Sequence, residues 1–230
     1  LTDHGVMYGV VDFYKEAKKV GIKPIIGCEV YLAPKSRFEK SGRGDEKSNN
    51  HLTLLAKNNE GYQNLIQLVT KAFIEGFYYK PRIDWELLTQ YHKGLVALSG
   101  CVAGEIPKLI LNGQLEEAEK VSKKFAALFG DDFFLEIQDQ GLEEQKVINE
   151  GLVKLSQATG IPLVATNDVH YLKQEDSVAH DVLLCMQTGT TLAEQKRLKF
   201  SSNHFYFKSP AEMSQLFANL PEALANSLEI

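Results

Sequence analysis

The sequence predicts an α/β protein whose five or more βα units, built on parallel strands, suit a closed or nearly closed barrel. Three observations carry that expectation. Short, β-branched apolar runs recur along the 230 residues, and amphipathic helical stretches lie between them. No Gly-rich dinucleotide fingerprint follows any of the runs, which removes the commonest functional support for the rival, a doubly wound open sheet. The length allows one large domain or two small ones. No linker divides the chain, so residues 1–230 read as a single domain fragment.

Taken in order, Leu1-Thr2-Asp3-His4-Gly5 reads as the tail of a strand entering a loop. Since the chain opens on Leu1 and not on methionine, the start of that strand is expected upstream, leaving the barrel truncated at its N-terminus. Val10, Phe13, Tyr14 and Ala17 recur at helical spacing until Gly21 and Pro24 stop the pattern. Residues 23–32 then form a mostly apolar run of the kind a strand buried on both faces shows. Residues 34–50, rich in Ser, Gly, Lys and Arg, read as a long mobile loop inserted between two strands. Further strands are expected at 51–56, 94–99, 133–137 and 161–166, with a weaker one at 204–207. Helices are expected at 62–73, at 115–129 closed by Gly130, at 143–159 closed by Gly160, and at 177–187. Asp84 caps a helix opening at Trp85. Ser209-Pro210-Ala211-Glu212 is a capping box with Pro at the first helical position, so 209–230 is a helical segment.

Composition bounds the function. Hydrophobic residues at 44% and charged residues at 24% are globular values, and no apolar run approaches the roughly 20 residues of a membrane span, so a soluble protein is expected. Twenty-five Lys+Arg against thirty Asp+Glu give a net charge of −5, which excludes general electrostatic adhesion to nucleic acid and restricts any such contact to a local patch. Cys28, Cys101 and Cys185 are odd in number and irregular in spacing, which argues for a reducing compartment, the cytoplasm, over a disulfide framework.

In a parallel barrel the chemistry sits at the carboxyl ends of the strands. The polar residues at or near the ends of the apolar runs are of metal-ligand type: Asp3 and His4, then Glu29 late in the second run, then Cys101, then Asp168 and His170. His51 precedes its run and does not follow from that argument. Ionised groups gathered in a partly dry pocket repel one another and lose hydration, and bound cations remove the objection. Asp168 and His170 stand two apart and share a side of an extended segment. Taken singly, each has a bland alternative: an Asp-His pair also suits a solvated loop, and Cys101 a small buried apolar position. Cys28 and Cys185 fit apolar patterns; His92 and His180 read as solvated, His204 is undecided, and Glu136 fits an ordinary strand position. Tyr78-Tyr79-Lys80-Pro81-Arg82 interleaves aromatics with positive charge, which suits either a single nucleic-acid strand or a structured turn, and Lys80 and Arg82 are the candidate DNA contacts. Lys35, Arg37, Lys40, Arg43 and Lys47 leave the 34–50 loop only slightly positive beside Glu39, Asp45 and Glu46.

Five ordered strings, Leu-Thr-Asp-His-Gly, Gly-Ile-Lys-Pro-Ile-Ile-Gly-Cys-Glu-Val-Tyr, Asn-His-Leu-Thr-Leu-Leu-Ala-Lys-Asn, Leu-Ser-Gly-Cys and Thr-Asn-Asp-Val-His-Tyr, resemble the PHP (polymerase and histidinol phosphatase) domain of bacterial replicative DNA polymerase III alpha subunits. The resemblance runs from Leu1 to the end. It implies a distorted TIM-like barrel of about seven βα units with up to three metal ions at its mouth, zinc first and manganese or magnesium after it. The implied ligands are His4, Glu29, His51, Cys101, Asp168 and His170, with Asp3 either a ligand or an orienter of His4. The family's upstream His-x-His pair has no counterpart here, so fewer ions are expected in this chain.

The activity implied by the resemblance is metal-dependent phosphodiester hydrolysis, a 3′→5′ proofreading exonuclease working on a DNA 3′ end beside the polymerase that forms the rest of the alpha subunit. An inert module that braces the polymerase core or docks a separate exonuclease subunit is the alternative, and a free-standing small-molecule phosphatase is a third.

Overall fold

The computed structural model describes residues 1–40 and 49–230. Helix α1 (Val10–Lys19) leads to β1 (Gly27–Leu32), β2 (Asn50–Ala56), α2 (Asn59–Ile74), β3 (Arg82–Ile83), α3 (Trp85–Tyr91) and β4 (Leu95–Leu98). There follow α4 (Glu105–Leu111), α5 (Leu115–Phe129), β5 (Phe133–Ile137), α6 (Glu143–Thr159), β6 (Leu163–Ala165), α7 (Ser177–Thr188), α8 (Pro210–Leu216) and α9 (Pro221–Glu229). The expected caps form: Asp84 accepts from Leu87 N at 3.1 Å, and Ser209 and Glu212 close a capping box over α8. Helix α4 lies where no helix was expected. Pro107 falls in the first turn, where an N–H has no helical partner to lose. The weak strand at 204–207 reduces to an isolated bridge between Tyr171 and Tyr206.

The strands make one six-stranded sheet in the order β3-β1-β2-β4-β5-β6. The α/β class is borne out; the sheet does not close, and these strands do not display a barrel of about seven units. The expectation that every strand is parallel is corrected. β1 pairs with β3, β4 with β5 and β5 with β6 in parallel, while β2 is antiparallel to both β1 and β4. Right-handed crossovers need a connecting helix. Within the described residues none lies between β1 and β2, so β2 runs back alongside its predecessor.

The short apolar runs are nearly continuous because both faces of the sheet are covered. One face carries Val30, Leu32, Leu52, Leu54 and Leu135 against Leu65 and Leu68 of α2, Phe125 of α5 and Leu152 of α6. The alternate positions Leu55, Val96, Leu98, Phe134 and Val164 form a smaller cluster on the other face. Further along that second face the same alternation delivers Glu29, Tyr31, His51 and Thr53. Helix α9 covers the far edge, with Asn226 donating to the Leu163 carbonyl at 2.7 Å. No helix among the described residues is long and apolar enough to cross a membrane.

The part of the 34–50 loop that is described packs against the helices through Arg37. Arg37 is buried, its guanidinium 2.7 Å from Glu75, 2.9 Å from Asp84 and 3.0 Å from Glu86. Arg43, Asp45, Glu46 and Lys47 lie outside the described residues.

Candidate metal centre

The reversal of β2 explains the residue that strand-end reasoning could not place. In an antiparallel neighbour, the amino end lies where the others have their carboxyl ends. His51, second in β2, therefore stands opposite Tyr31 near the end of β1. The turn after β4 reaches the same point: His51 N donates to the Ala103 carbonyl at 3.1 Å, and Gly100 takes a φ of +86°. A Cβ at Gly100 would stand 2.6 Å from the His51 carbonyl oxygen, so only glycine allows the Cys101 turn to press this closely. Residues 1–5 lie along β1 as well, with Asp3 O accepting from Glu29 N at 3.1 Å and Gly5 N donating to Glu29 O at 2.8 Å. Gly5, at φ +69°, backs onto the Tyr31 ring and leaves no room for a side chain.

These backbones deliver a compact donor set. Glu29 Oε1 lies 2.6 Å from His4 Nδ1 and 2.9 Å from His51 Nδ1. Cys101 Sγ is 3.5 Å from His51 Nδ1 and 3.9 Å from Glu29 Oε2. Ligand atoms of Glu29, His51 and Cys101 all fall within 4.8 Å of one another, a grouping that could hold a metal ion. His170 faces His4 with ring centroids 5.6 Å apart, and its Nδ1 is 3.4 Å from Asp168 Oδ1. Five segments thus converge on one rim. Buried His51 Nε2 has no hydrogen-bond partner among the described residues.

The electrostatics are those of a site short of positive charge. Burial works against ionisation of Glu29, yet hydrogen bonds from His4 and His51 hold its pKa down to about 2. That hydrogen bond raises the pKa of His4, against partial burial. Burial and the nearby Glu29 charge push Asp168 up to about 6. Burial, then the charges of Glu29 and Asp168, push the Cys101 thiol well above its ordinary value. A divalent cation among these groups would favour the charged form of each carboxylate and of the thiol.

Not every candidate joins the rim. Asp3 takes part through its carbonyl, while its carboxylate lies against Gly9, 3.2 Å from where a Cβ would be. Arg82 is buried, and its guanidinium donates to the carbonyls of Gly76, Arg37 and Glu39, so it holds a turn. Arg37 is buried likewise. Lys80 stays at the mouth, its Nζ 5.4 Å from the Tyr31 ring centre and its charge opposing protonation of His4.

Two features escaped the sequence. Glu136 is buried beside the centre and accepts from Gly100 N at 3.0 Å, Gln138 Nε2 at 3.1 Å and Thr166 Oγ1 at 2.5 Å. An acidic residue inside an otherwise apolar strand was the available signal. His180, expected to be solvated, packs against His170 and Phe200 with ring centroids 5.7 Å and 4.8 Å away.

Comparison with known proteins decides the family. Residues 1–140 match the PHP domain. The chain belongs to the PHP domain family. Over its whole length this PHP domain chain is 51% identical to the DNA polymerase III subunit alpha of Treponema pallidum (strain Nichols) and 49% identical to that of Borreliella burgdorferi. It is 50% identical over 97% of its length to the subunit of Thermus aquaticus. The PHP domain chain spans about a fifth of the length of these relatives: 20% of the first two and 18% of the third.

Proposed function

We propose that this chain is the PHP portion of a DNA polymerase III alpha subunit and that it hydrolyses phosphodiesters with bound divalent metal, removing nucleotides from a DNA 3′ end. The observation that carries the reading is the sharing of one Glu29 oxygen by two imidazoles, with a thiol beside them, in a chain whose relatives are polymerase alpha subunits. A carboxylate so placed can bridge two ions. Imidazole and thiol donors suit zinc best, and the carboxylates admit manganese or magnesium. Up to three ions would occupy the complete domain.

His51, Cys101 and Glu29 would hold one ion, and His4, Asp168 and His170 would complete the rim toward the solvent. The metal supplies Lewis acidity and an attraction to phosphate that a chain of net charge −5 lacks. The chain's own residues do the rest. Glu136 fixes the Cys101 turn through Gly100, Tyr31 stacks edge-on against His51 and limits its rotation, and Lys80 offers its charge to a diester entering past His4. In the longer polypeptide the open sheet would form part of a distorted TIM-like barrel, with the helical segment from 209 leading toward the polymerase region.

The test is metal analysis and 3′-exonuclease assay of the full-length polypeptide beside His4→Ala and Asp168→Asn variants. Both substitutions should lower metal content and cut the nuclease rate at least a hundredfold. Unchanged metal content and rate in both would refute the assignment and leave the bracing-module alternative.

A further inference from the structure

A cleft of about 630 Å³ opens between α7 and the 199–204 segment, lined by Tyr171, His180, Lys199, Phe200, Asn203 and His204 among others. None of these residues belongs to the proposed metal rim, yet the two sites share a wall. The His170 ring faces His4 on one side at 5.6 Å and meets Phe200 at 4.9 Å and His180 at 5.7 Å on the other.

The cleft is built. Arg197 donates to Asp181 of α7 through Nη1 and Nη2, at 2.5 and 2.7 Å, and ties the 197–204 segment to the helix. Ser202 Oγ donates to the Gln140 carbonyl, and Gln174 Nε2 donates to Asn203 Oδ1 at 3.2 Å. His170 N donates to the Phe205 carbonyl at 2.8 Å, which ties the rim to the segment that carries the wall. Four ring-bearing side chains, an exposed lysine, amide and hydroxyl groups, and an Asp181 whose charge Arg197 neutralises form the lining of a site for a planar, hydrogen-bonding, negatively charged ligand. The volume falls in the range of small-ligand sites.

We propose that this cleft seats the 3′-terminal nucleotide of a single DNA strand, its base against Phe200 and His180, while the adjoining phosphodiester crosses His170 to the Glu29–His51–Cys101 cluster. The inference rests on the phosphodiesterase reading above. It assigns the cleft the part of measuring out one nucleotide at the strand end. Stacking serves any base, so the seat tolerates every sequence, as removal of whichever nucleotide is terminal requires.

The experiment is photo-cross-linking of the full-length polypeptide to an oligonucleotide with 5-iododeoxyuridine at its 3′ terminus, with adducts mapped by mass spectrometry. Adducts are expected on Tyr171, His180 or Phe200, and moving the label three nucleotides inward should remove them. Phe200→Ala should cut the yield at least fivefold and Phe200→Trp should restore it. Lys199→Glu, at an exposed position, should cut it at least threefold and serves if the alanine variant does not fold. Adducts that map elsewhere, persist when the label moves inward, or form equally in Phe200→Ala and Lys199→Glu overturn the proposal. Hydrolysis of bis(p-nitrophenyl) phosphate by the unaltered protein, a diester with no nucleobase, tests the phosphodiesterase reading by itself. Its absence sinks that reading, whereas misplaced adducts with hydrolysis intact sink only the cleft.

Discussion

His51 Nδ1 lies 2.9 Å from Glu29 Oε1 although the two residues come from strands that run in opposite directions. Glu29 sits opposite Thr53, and His51 stands two residues earlier on β2 and so projects from the same face. A register slip of one residue would turn His51 to the helix-covered face and put Leu52 in its place. The donor set therefore depends on the pairing of β1 with β2 as much as on the residues themselves.

If this set holds a divalent ion, metal binding must stabilise the fold, since the unfolded chain holds no such arrangement. Zinc at a hundred times its dissociation constant adds about 2.7 kcal/mol. For a chain of this size that corresponds to a Tm rise of roughly 5–10 °C. Differential scanning fluorimetry with EDTA, then with zinc or manganese restored, should show the loss and recovery. His51→Ala should melt at one temperature in both conditions.

Gly100→Ala should weaken both the fold and the site. A left-handed conformation costs an alanine about 1–2 kcal/mol, and here the added methyl also meets the His51 carbonyl. Displacing that strand should lower metal affinity by about 10–100-fold, the range seen when a ligand's support is removed. Gly113→Ala is the control, because its φ is +73° but a Cβ there meets open space. Urea unfolding should show a loss in both variants, and isothermal titration a change of affinity only in the first.

Much of this was legible in the sequence because periodicity and caps are local. The expected strand at 133–137 matches β5 at both ends, and the helices closed by Gly130 and Gly160 stand where expected. Strand direction is not local, which is why the antiparallel β2 escaped and His51 lacked a derivation. Burial of polar groups is not local either. The burial of Arg37 and Arg82 was not legible because their partners, Asp84, Glu75 and the Gly76 carbonyl, are distant in sequence or belong to the backbone. His4, Cys101, Asp168 and His170 were legible because each follows an apolar run, and Glu29 because it is an acidic residue late in one, while His180 and Phe200 join the neighbourhood only through the fold of the 197–204 segment.

Arg37→Ala should act on stability and not on DNA. Removing one member of a buried charged group strands the others, at a cost of about 3–5 kcal/mol, and Asp84 would lose an ion pair while still capping α3. Lys35→Ala, an exposed neighbour 3.9 Å from Glu39, should change stability by less than about 0.5 kcal/mol. Urea unfolding of the two variants measures the contrast. An Arg37→Ala protein as stable as its parent would show that the guanidinium is not held as described.

Glu136 gives the fold a dependence on pH of opposite sign to that of a paired carboxylate. Burial raises its pKa from 4.5 to about 7, so between those values the folded chain holds a proton that the unfolded chain has released. Stability from this group is complete below pH 4.5 and is lost as pH rises through 7. At about 1.4 kcal/mol per pH unit, the neutral form is worth on the order of 3 kcal/mol at most. Glu136→Gln keeps a carbonyl oxygen for Gly100 N and carries no charge at any pH. In EDTA, the parent should lose up to about 3 kcal/mol more than the variant between pH 5 and pH 8, measured by urea unfolding at each pH. Parallel losses in the two proteins would show that the buried carboxyl does not titrate in this window, and that its hydrogen bonds to Thr166, Gln138 and Gly100 suffice to keep it ionised.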